Sequence, residues 1–214
     1  MVGSFDDFLR GLPSILEADS FRSVARGIAS AIRSQRGVVW LLGGHTIKTG
    51  LSPVLIRMME RGGATYLVGN GSVAIHDYEV ARWGGTSEDV EAGLVDGTFG
   101  VAEETGREMN EAIIAGAEKG MGMGEALGWA LSRRDDLEAP ERSVLLAAYN
   151  AAIGQTSMSD FRRMAGYLRE IDDGGFVLNV GSAVIMQRCF SRPSPWPGTS
   201  TQARRGSSVP PTST

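Results

Sequence analysis

Residues 37–62, GVVWLLGGHTIKTGLSPVLIRMMERG, carry the pattern from which the fold follows. An apolar run that is rich in β-branched residues and bounded by glycines is typical of a buried strand. A helix is then indicated by Ser52 as a possible cap and by Pro53, which is tolerated in a first helical turn. A pair of glycines ends that helix. The stretch therefore predicts a strand, a glycine-histidine corner and a helix, in that order.

The strand-and-glycine pattern recurs twice further along the chain. The runs ATYLVGNG, residues 64–71, and GGFVLNVGSAVIM, residues 174–186, are rich in strand-forming residues and contain glycines. Helical spacing of apolar residues marks residues 1–36 and most of 72–154, where the charged stretch EETGRE, residues 103–108, is interpreted as a solvated helix face. Three strands with helices between them predict a single-domain α/β fold with a largely parallel sheet flanked by helices.

The composition is that of an ordinary soluble globular protein. Of the 214 residues, 42% are hydrophobic and 21% are charged, and the formal net charge of −4 gives no sign of a nucleic-acid partner. No apolar run reaches the roughly 20 residues that cross a bilayer, and the N-terminus is acidic where a signal peptide is basic. The single cysteine, Cys189, excludes an internal disulfide and a multi-cysteine metal site. These features predict a cytoplasmic protein without a membrane partner.

Two glycine-rich corners follow the first two predicted strands. In open parallel sheets, ligands bind beyond the carboxyl ends of the strands, where glycines allow close approach of the backbone. The sequences GGHTIKTG and GNGSVAIHD have this form, although neither completes a G-x-G-x-x-G fingerprint, and tight turns alone would also explain their glycines. We expect both corners to face one cleft, lined by Gly44, His45, Asn70, Gly71 and His76.

The two histidines of the chain, His45 and His76, each follow one of these strands. Histidine titrates near neutrality, so either residue is a candidate acid or base, and a hydrogen-bonded side chain at a turn is the alternative. No carboxylate cluster accompanies them, so no metal site is predicted. Lys48 either holds an anion at the first corner or is solvated. Asp77 and Glu79 either cap a helix or face the pocket.

Several motifs in sequence order resemble the bacterial deoxyhypusine-synthase-like proteins. These are GGHTIKTGLSPVLIRMMERG, VGNGSVAIHDYEVA and GTSEDVEAGLVDGTFGVAEETGR, followed by VLNVGSAVIM, which resembles the later strand of the family. The resemblance covers roughly residues 37–186. It implies a Rossmann-like sheet, NAD as cofactor, and a homotetramer whose sites form between paired subunits. In the characterised enzymes NAD oxidises spermidine, and an aminobutyl group passes through an imine on an enzyme lysine to a lysine of a translation factor.

The resemblance places a cofactor site at the two corners. Gly44 and His45 stand where the family has a serine-asparagine pair that contacts NAD. Asn70, Gly71 and Ser72 stand within the stretch that replaces the family's T-A-G-G pattern. These five residues are therefore the predicted cofactor-binding residues.

The resemblance also places the substrate side of the site. The family has paired glutamates, one of which binds the polyamine amine, where this sequence has Ile75 and His76, and Asp77 matches the acid that follows them. His76 and Asp77 are therefore the predicted substrate-binding residues, and His76 is the predicted catalytic residue. A histidine in place of a carboxylate weakens the prediction of polyamine specificity.

The C-terminal part of the chain departs from the family. Residues 187–214 are crowded with proline, serine and threonine, contain four arginines and no acidic residue, and predict disorder. The family's imine-forming lysine lies beyond the GSAVIM strand, and neither Lys48 nor Lys119 matches it. The chain is therefore expected not to complete covalent transfer through a lysine. Back-translation with one nucleotide restored before the codon for Gln187 allows the reading PEVFLK, which predicts a frameshift after Met186, with a natural disordered tail as the alternative.

Three functional hypotheses follow. The first is an NAD-dependent transferase of an aminobutyl group from spermidine to an amine or a protein lysine, with N-terminal helices in 1–36, an incomplete α/β domain in 37–186 and a tail in 187–214. The second is a non-catalytic nucleotide-binding or interaction protein of the same fold. The third is an enzyme of this fold that acts on a different small amine, with His76 as base. Other copies of the chain are the expected protein partners.

Overall fold

The computed structural model describes residues 4–86, 90–100, 102–151, 154–156, 171 and 174–181. The predicted tail after Met186 and its proposed frameshift lie outside these residues. Within the described part of the chain, no helix is long and apolar enough to cross a membrane.

The centre of the protein is a parallel sheet of four strands. The strands are β1 (Val38–Leu42), β2 (Tyr66–Gly69), β3 (Gly154–Thr156) and β4 (Phe176–Val180), in the spatial order β3-β2-β1-β4. Every neighbouring pair is parallel. The chain therefore moves outward from β1 through β2 to β3 and returns to the other side of β1, so that strand order reverses between β1 and β4. This order confirms the predicted α/β fold and is that of a Rossmann-like half-sheet.

Helices pack around this sheet. They are α1 (Phe5–Gly11), α2 (Leu16–Arg33), α3 (Gly44–Lys48), α4 (Ser52–Glu60), α5 (Gly71–Trp83), α6 (Val90–Asp96), α7 (Glu103–Ala117), α8 (Met123–Leu131), a 3-10 turn (Pro140–Arg142) and α9 (Val144–Asn150). β1 leads directly into α3 and β2 leads directly into α5. The amino ends of these two helices therefore lie at the same edge of the sheet, as the sequence predicts.

The core explains why β1 is apolar along its whole length. Val38 and Leu42 are buried against helices on one face, while Val39 and Leu41 are buried on the other. A central parallel strand is covered on both faces, so it does not alternate between apolar and polar residues. A second cluster joins α5 to α7, α8 and α9, with Tyr78 at its centre. This cluster fixes α5, the helix that carries His76.

The structure differs from the sequence prediction at two helix ends. The pattern ERSVLLAAYNAAIG predicted a helix as far as residue 154, but α9 ends at Asn150 and β3 begins at Gly154. A three-residue strand has too few side chains to show an alternating pattern, which is why it was missed. Ser52 was predicted as a cap, but Leu51 occupies the cap position and Ser52 is the buried first residue of α4.

Candidate functional site

The two corners pack directly on each other at the carboxyl edge of the sheet. A Cβ atom on Gly44 would overlap the hydroxyl of Ser72 and would lie 3.1 Å from Cδ2 of His76. The approach to Ser72 is closer than real Cβ atoms show and the approach to His76 is tight, so any larger residue at position 44 would displace the Ser72 side chain. The structure thus brings together Gly44, Ser72 and His76, which the sequence placed on two separate corners.

His45 and Lys48 lie on the exposed side of α3. Partial burial lowers the pKa of His76, and the charges of Lys48 and His45 lower it further, while Glu79 acts in the opposite direction. All three basic side chains are thus near enough to influence one another electrostatically. Because its pKa lies below the ordinary histidine value, the His76 ring is mainly neutral at neutral pH.

His76 belongs to a network of partly buried polar side chains. Its Nδ1 lies 2.7 Å from the hydroxyl oxygen of Thr86, and that hydroxyl donates a short hydrogen bond to Oε2 of Glu79. The other carboxylate oxygen of Glu79 accepts a hydrogen bond of 3.1 Å from the hydroxyl of Thr105. The side chains of His76 and Glu79 are 20% and 18% exposed. The sequence offers Thr86 only as a possible helix cap and does not predict either threonine as part of the site.

This network assigns the tautomer of His76. The single hydroxyl proton of Thr86 is donated to Glu79, so Nδ1 of His76 must be the donor in the contact with Thr86. In a neutral ring, Nε2 then carries the lone pair and accepts protons. The ring is therefore arranged as a base rather than as an acid.

Asn70, Gly71 and Ser72 form the start of α5. The side-chain oxygen of Asn70 caps the helix by accepting a hydrogen bond of 3.2 Å from the backbone N–H of Val73. A Cβ on Gly71 would have no atom within 4 Å, so the backbone here borders open space. Ser72 is exposed and faces Gly44. These residues lie at the carboxyl edge of the sheet, where Asn70 also caps α5.

Asp77 lies on a different side of α5 from His76. Its side chain is 0% exposed and accepts hydrogen bonds from the hydroxyl of Ser143 at 2.6 Å and from the backbone N–H groups of Val144 at 2.7 Å and Leu145 at 3.0 Å. Burial raises its pKa to about 6, against the effect of these donors. Asp77 thus caps the amino end of α9, a helix far along the chain. A carboxylate with this burial and these partners is poorly placed to hold a substrate amine, so its predicted substrate-binding role gains no geometric support.

The end of β4 is hydrogen-bonded to the corner that follows β1. The hydroxyl of Thr46, on α3, donates to the carbonyl of Val180 at 3.0 Å, and the backbone N–H of Gly43 donates to the same carbonyl at 3.0 Å. Gly181 follows with a positive φ of 72°, a conformation that favours glycine. A Cβ on Gly181 would lie 3.0 Å from the Thr46 hydroxyl oxygen. The end of β4 is thereby held against the first corner.

A second polar cluster, which the sequence did not predict, stabilises the back of α5. Glu108 accepts hydrogen bonds of 3.0 Å from the hydroxyl of Tyr78 and from Nε of Arg82, and Arg134 lies 3.3 Å away. Burial and the hydrogen bond to Glu108 raise the pKa of Tyr78 to about 12. EETGRE is thus only partly a solvated helix face, because Glu103 is exposed while Glu108 points inward.

The described residues contain no group of three or more histidine, cysteine, aspartate or glutamate side chains that could hold a metal ion.

Beside the site, Gly69 and Asn70 border a small, mainly apolar depression that extends towards Val144 on α9. The open part of the edge therefore lies on the side of Gly71 and α3.

Comparison with known proteins finds similarity only among solved structures. No protein-family profile matches the chain, and no curated protein matches it in sequence. Among solved structures, it resembles a cyanobacterial arginine dihydrolase of the ornithine-ammonia cycle, with 19% identity and a TM-score of 0.50 over 75% of this chain and 24% of that one. It also resembles an Entamoeba histolytica protein provisionally described as a deoxyhypusine synthase, with 16% identity and a TM-score of 0.40 over 72% of this chain and 53% of that one.

The first similarity indicates a related fold, and neither similarity establishes a function. The chain spans about a quarter of the length of the first of these proteins and about half of the second. The likeness to a deoxyhypusine synthase is weak and does not establish membership of that family.

Proposed function

We propose that the chain binds NAD at the carboxyl edge of its sheet and uses it in the oxidation of an amine, as the deoxyhypusine-synthase-like proteins do with spermidine. The aminoalkyl group of that amine would be passed to an acceptor amine or protein lysine. The observation that carries the proposal is the direct packing of Gly44 against Ser72 and His76, where two parallel strands end. Dinucleotides bind at this kind of edge, close to the reversal of strand order.

The residues at this edge suit an anionic dinucleotide. The backbone at Gly71 is open to close approach, and Ser72 offers an exposed hydroxyl beside it. Lys48 places a positive charge on the exposed side of α3, which favours phosphate groups, and His45 is exposed beside it. Asn70 holds the first turn of α5 in place. When bound, NAD would supply the hydride acceptor.

The substrate side of the site favours a small monoamine over a polyamine. His76 is mainly neutral and can take a proton, whereas a polycation would meet the positive charge of Lys48. Glu79 is the acid near His76, and its oxygens are already engaged by two threonine hydroxyls. The aminoalkyl group would therefore pass directly from a donor amine to an acceptor amine. Spermidine, as such a donor, would be held weakly.

A non-catalytic nucleotide-binding protein is the second candidate, and the positions of both lysines favour it. Lys48 is exposed at the end of α3, and Lys119 lies 5.3 Å from the ring centre of Trp129, over its face. Neither amine lies in a desolvated pocket, which is what imine formation on the enzyme requires. A protein of this kind would bind NAD without reducing it in the presence of an amine.

Calorimetric titration of NAD into the wild-type chain and the Gly71→Ala variant tests the proposal. The added methyl group meets no protein atom, so the melting temperature should hold, while NAD affinity should fall by about tenfold or more because the methyl group occupies the open backbone surface. Gly106→Ala is the matched control, since its methyl group on exposed α7 also meets no atom within 4 Å.

Absence of NAD binding to the wild-type chain, or equal affinity in the Gly71→Ala variant, would refute the proposed site. NADH absorbance separates the two candidate functions. An increase with NAD and spermidine, or with a smaller amine, supports the transferase, whereas binding without any increase supports the non-catalytic protein.

A further inference from the structure

We propose that Glu79 and Thr86 are positioning residues that hold His76 as a general base, with its Nε2 directed at the first corner. This inference deepens the proposed function, because it names the group that removes a proton from the amine substrate. It rests on that function for the identity of the substrate alone. The arrangement of the three side chains stands on their own hydrogen bonds.

The first step of the argument is the direction of each hydrogen bond. Ionised Glu79 can only accept, so the hydroxyl of Thr86 donates to it and has only its lone pairs left for His76. His76 Nδ1, at 2.7 Å, is therefore the donor. A hydroxyl group can accept from one neighbour and donate to the other at the same time. Thr86 thus passes the orienting effect of the carboxylate to the imidazole.

The second step is the rigidity of the carboxylate. Glu79 lies on α5, and its two oxygens are held by Thr86, just beyond the end of that helix, and by Thr105 on α7. Thr105 is itself buried. Rotation of the carboxylate would break a hydrogen bond on each side, so the direction of the Thr86 hydroxyl is fixed. Loss of either partner is expected to free the imidazole to change tautomer.

The third step is the direction of the reactive nitrogen. Cδ2 of His76 is the ring atom nearest the Cβ position of Gly44, and Nε2 is bonded to Cδ2 on the side opposite Nδ1. The basic edge of the ring therefore faces α3 and the proposed ligand edge. The charged groups that act on it are Lys48 and His45 on α3 and Glu79 on its own helix.

The proton transfer itself is simple. A substrate ammonium group loses a proton, the bonding electron pair stays on the substrate nitrogen, and an N–H bond forms at Nε2. The resulting imidazolium is stabilised by Glu79 through the hydroxyl of Thr86, as a carboxylate orients and stabilises an imidazolium in other enzymes. The amine that remains has the lone pair it needs for oxidation or transfer.

Nitrogen-15 NMR of the histidine rings tests this arrangement in the full chain without any ligand. The chain has only two histidines, so the His45→Gln variant assigns both sets of signals. We expect Nδ1 of His76 to carry the proton in the neutral form. The Thr86→Val variant should convert the ring mainly to the Nε2–H tautomer, and Thr86→Ser should restore the wild-type signals. Glu79→Gln, which removes the charge and keeps the shape, should shift the tautomer in the same direction as Thr86→Val.

Acylation by diethyl pyrocarbonate measures the reactivity of Nε2, with His45 as the reference in each sample. The His76-to-His45 rate ratio should fall in Thr86→Val and recover in Thr86→Ser, and melting curves identify any variant that has not folded. A wild-type His76 with the proton on Nε2, or a tautomer and rate ratio unchanged in both Thr86→Val and Glu79→Gln, would overturn the proposal. Because no arm of this experiment uses NAD, its failure is separable from failure of the proposed NAD site.

Discussion

Two carboxylates on α5, only two residues apart, have opposite surroundings. Asp77 faces the interior, is completely buried and accepts from two backbone N–H groups of α9. Glu79 is 18% exposed and is held by two threonine side chains near the open edge. The same helix thus carries one carboxylate that organises the core and another that organises the candidate site.

The difference lies in the group that each donor connects to the carboxylate. Asp77 accepts from backbone N–H groups and from a serine hydroxyl that itself accepts from a backbone N–H group of α9, so its hydrogen bonds stay at the start of that helix. The hydroxyl of Thr86 instead connects Glu79 to the imidazole of His76. A carboxylate whose hydroxyl partner contacts a reactive side chain can therefore influence that side chain, whereas one whose partners all belong to the start of a helix serves stability.

The largest effect is expected from the Asp77→Ala variant. It leaves the hydroxyl of Ser143 and the N–H groups of Val144 and Leu145 without their acceptor, and unsatisfied buried donors cost about 1–3 kcal/mol each. We expect the free energy of unfolding in urea to fall by about 3 kcal/mol or more. The exposed Glu111→Ala variant is the control and should change it by less than about 0.5 kcal/mol. A loss near that of the control would show that α9 is not held by Asp77.

The pH dependence of stability should have opposite signs for the two faces. Asp77 has a folded-state pKa raised to about 6, so the folded state gains stability from its protonation as pH falls from about 6 towards 4. His76 has a lowered pKa, so stability is lost as pH falls below the ordinary histidine value of 6.5. Relative to wild type, Asp77→Asn should lose more stability on acidification, and His76→Gln should lose less. Urea unfolding at several pH values measures how the difference in unfolding free energy between each variant and wild type changes with pH. A change in the same direction for both variants would contradict the comparison.

Glu108 extends the comparison to the back of α5. The Glu108→Gln variant weakens the contacts with Tyr78, Arg82 and Arg134, and we expect a loss of about 1–3 kcal/mol in unfolding free energy. The tautomer of His76 should not change, because this cluster does not contact it. Glu103→Gln, which alters an exposed pair with Arg107, should cost at most about 0.5 kcal/mol. A tautomer change in the Glu108→Gln variant would show that the two faces are coupled.

The smallest effect is expected from the Lys48→Gln variant. The charge of Lys48 lowers the pKa of His76, so its removal should raise that pKa while stability stays within about 0.5 kcal/mol of wild type. NMR titration of the His76 ring measures the change. Lys119→Gln is the matched control, since Lys119 lies over Trp129 rather than at the edge. An equal shift in both variants would mean that only the net charge of the protein matters.

Much of the fold could be predicted from the sequence because its signals are local. Glycines flank β1 directly and its five residues are all apolar, and β2 is an apolar run that ends at Gly69. The same local pattern placed His76 at the start of a helix that follows a strand. A short outer strand such as β3 leaves no comparable pattern, because its three residues gain their structure by pairing with β2.

The candidate site could be predicted only in part, because its contacts join distant residues. Thr86 and Thr105 reach Glu79 across 7 and 26 residues, and nothing in their local sequence distinguishes them from surface threonines. Asp77 was considered for capping or for the pocket, but the helix that it caps begins 67 residues later at Val144. Such pairings depend on how helices pack and have no periodic signature.

The position of β1 between β2 and β4 has a consequence for synthesis on the ribosome. β1 pairs with β2 soon after both emerge, but the hydrogen bond between Thr46 and Val180 spans 134 residues. At a translation rate of about 5–20 residues per second, the edge of β1 that pairs with β4 remains unpaired for on the order of ten seconds. Unpaired strand edges of this kind attract other chains. The strand that leads into the candidate site is therefore open to wrong pairing until β4 has been synthesised, and a chaperone that covers β1 during this time would protect it.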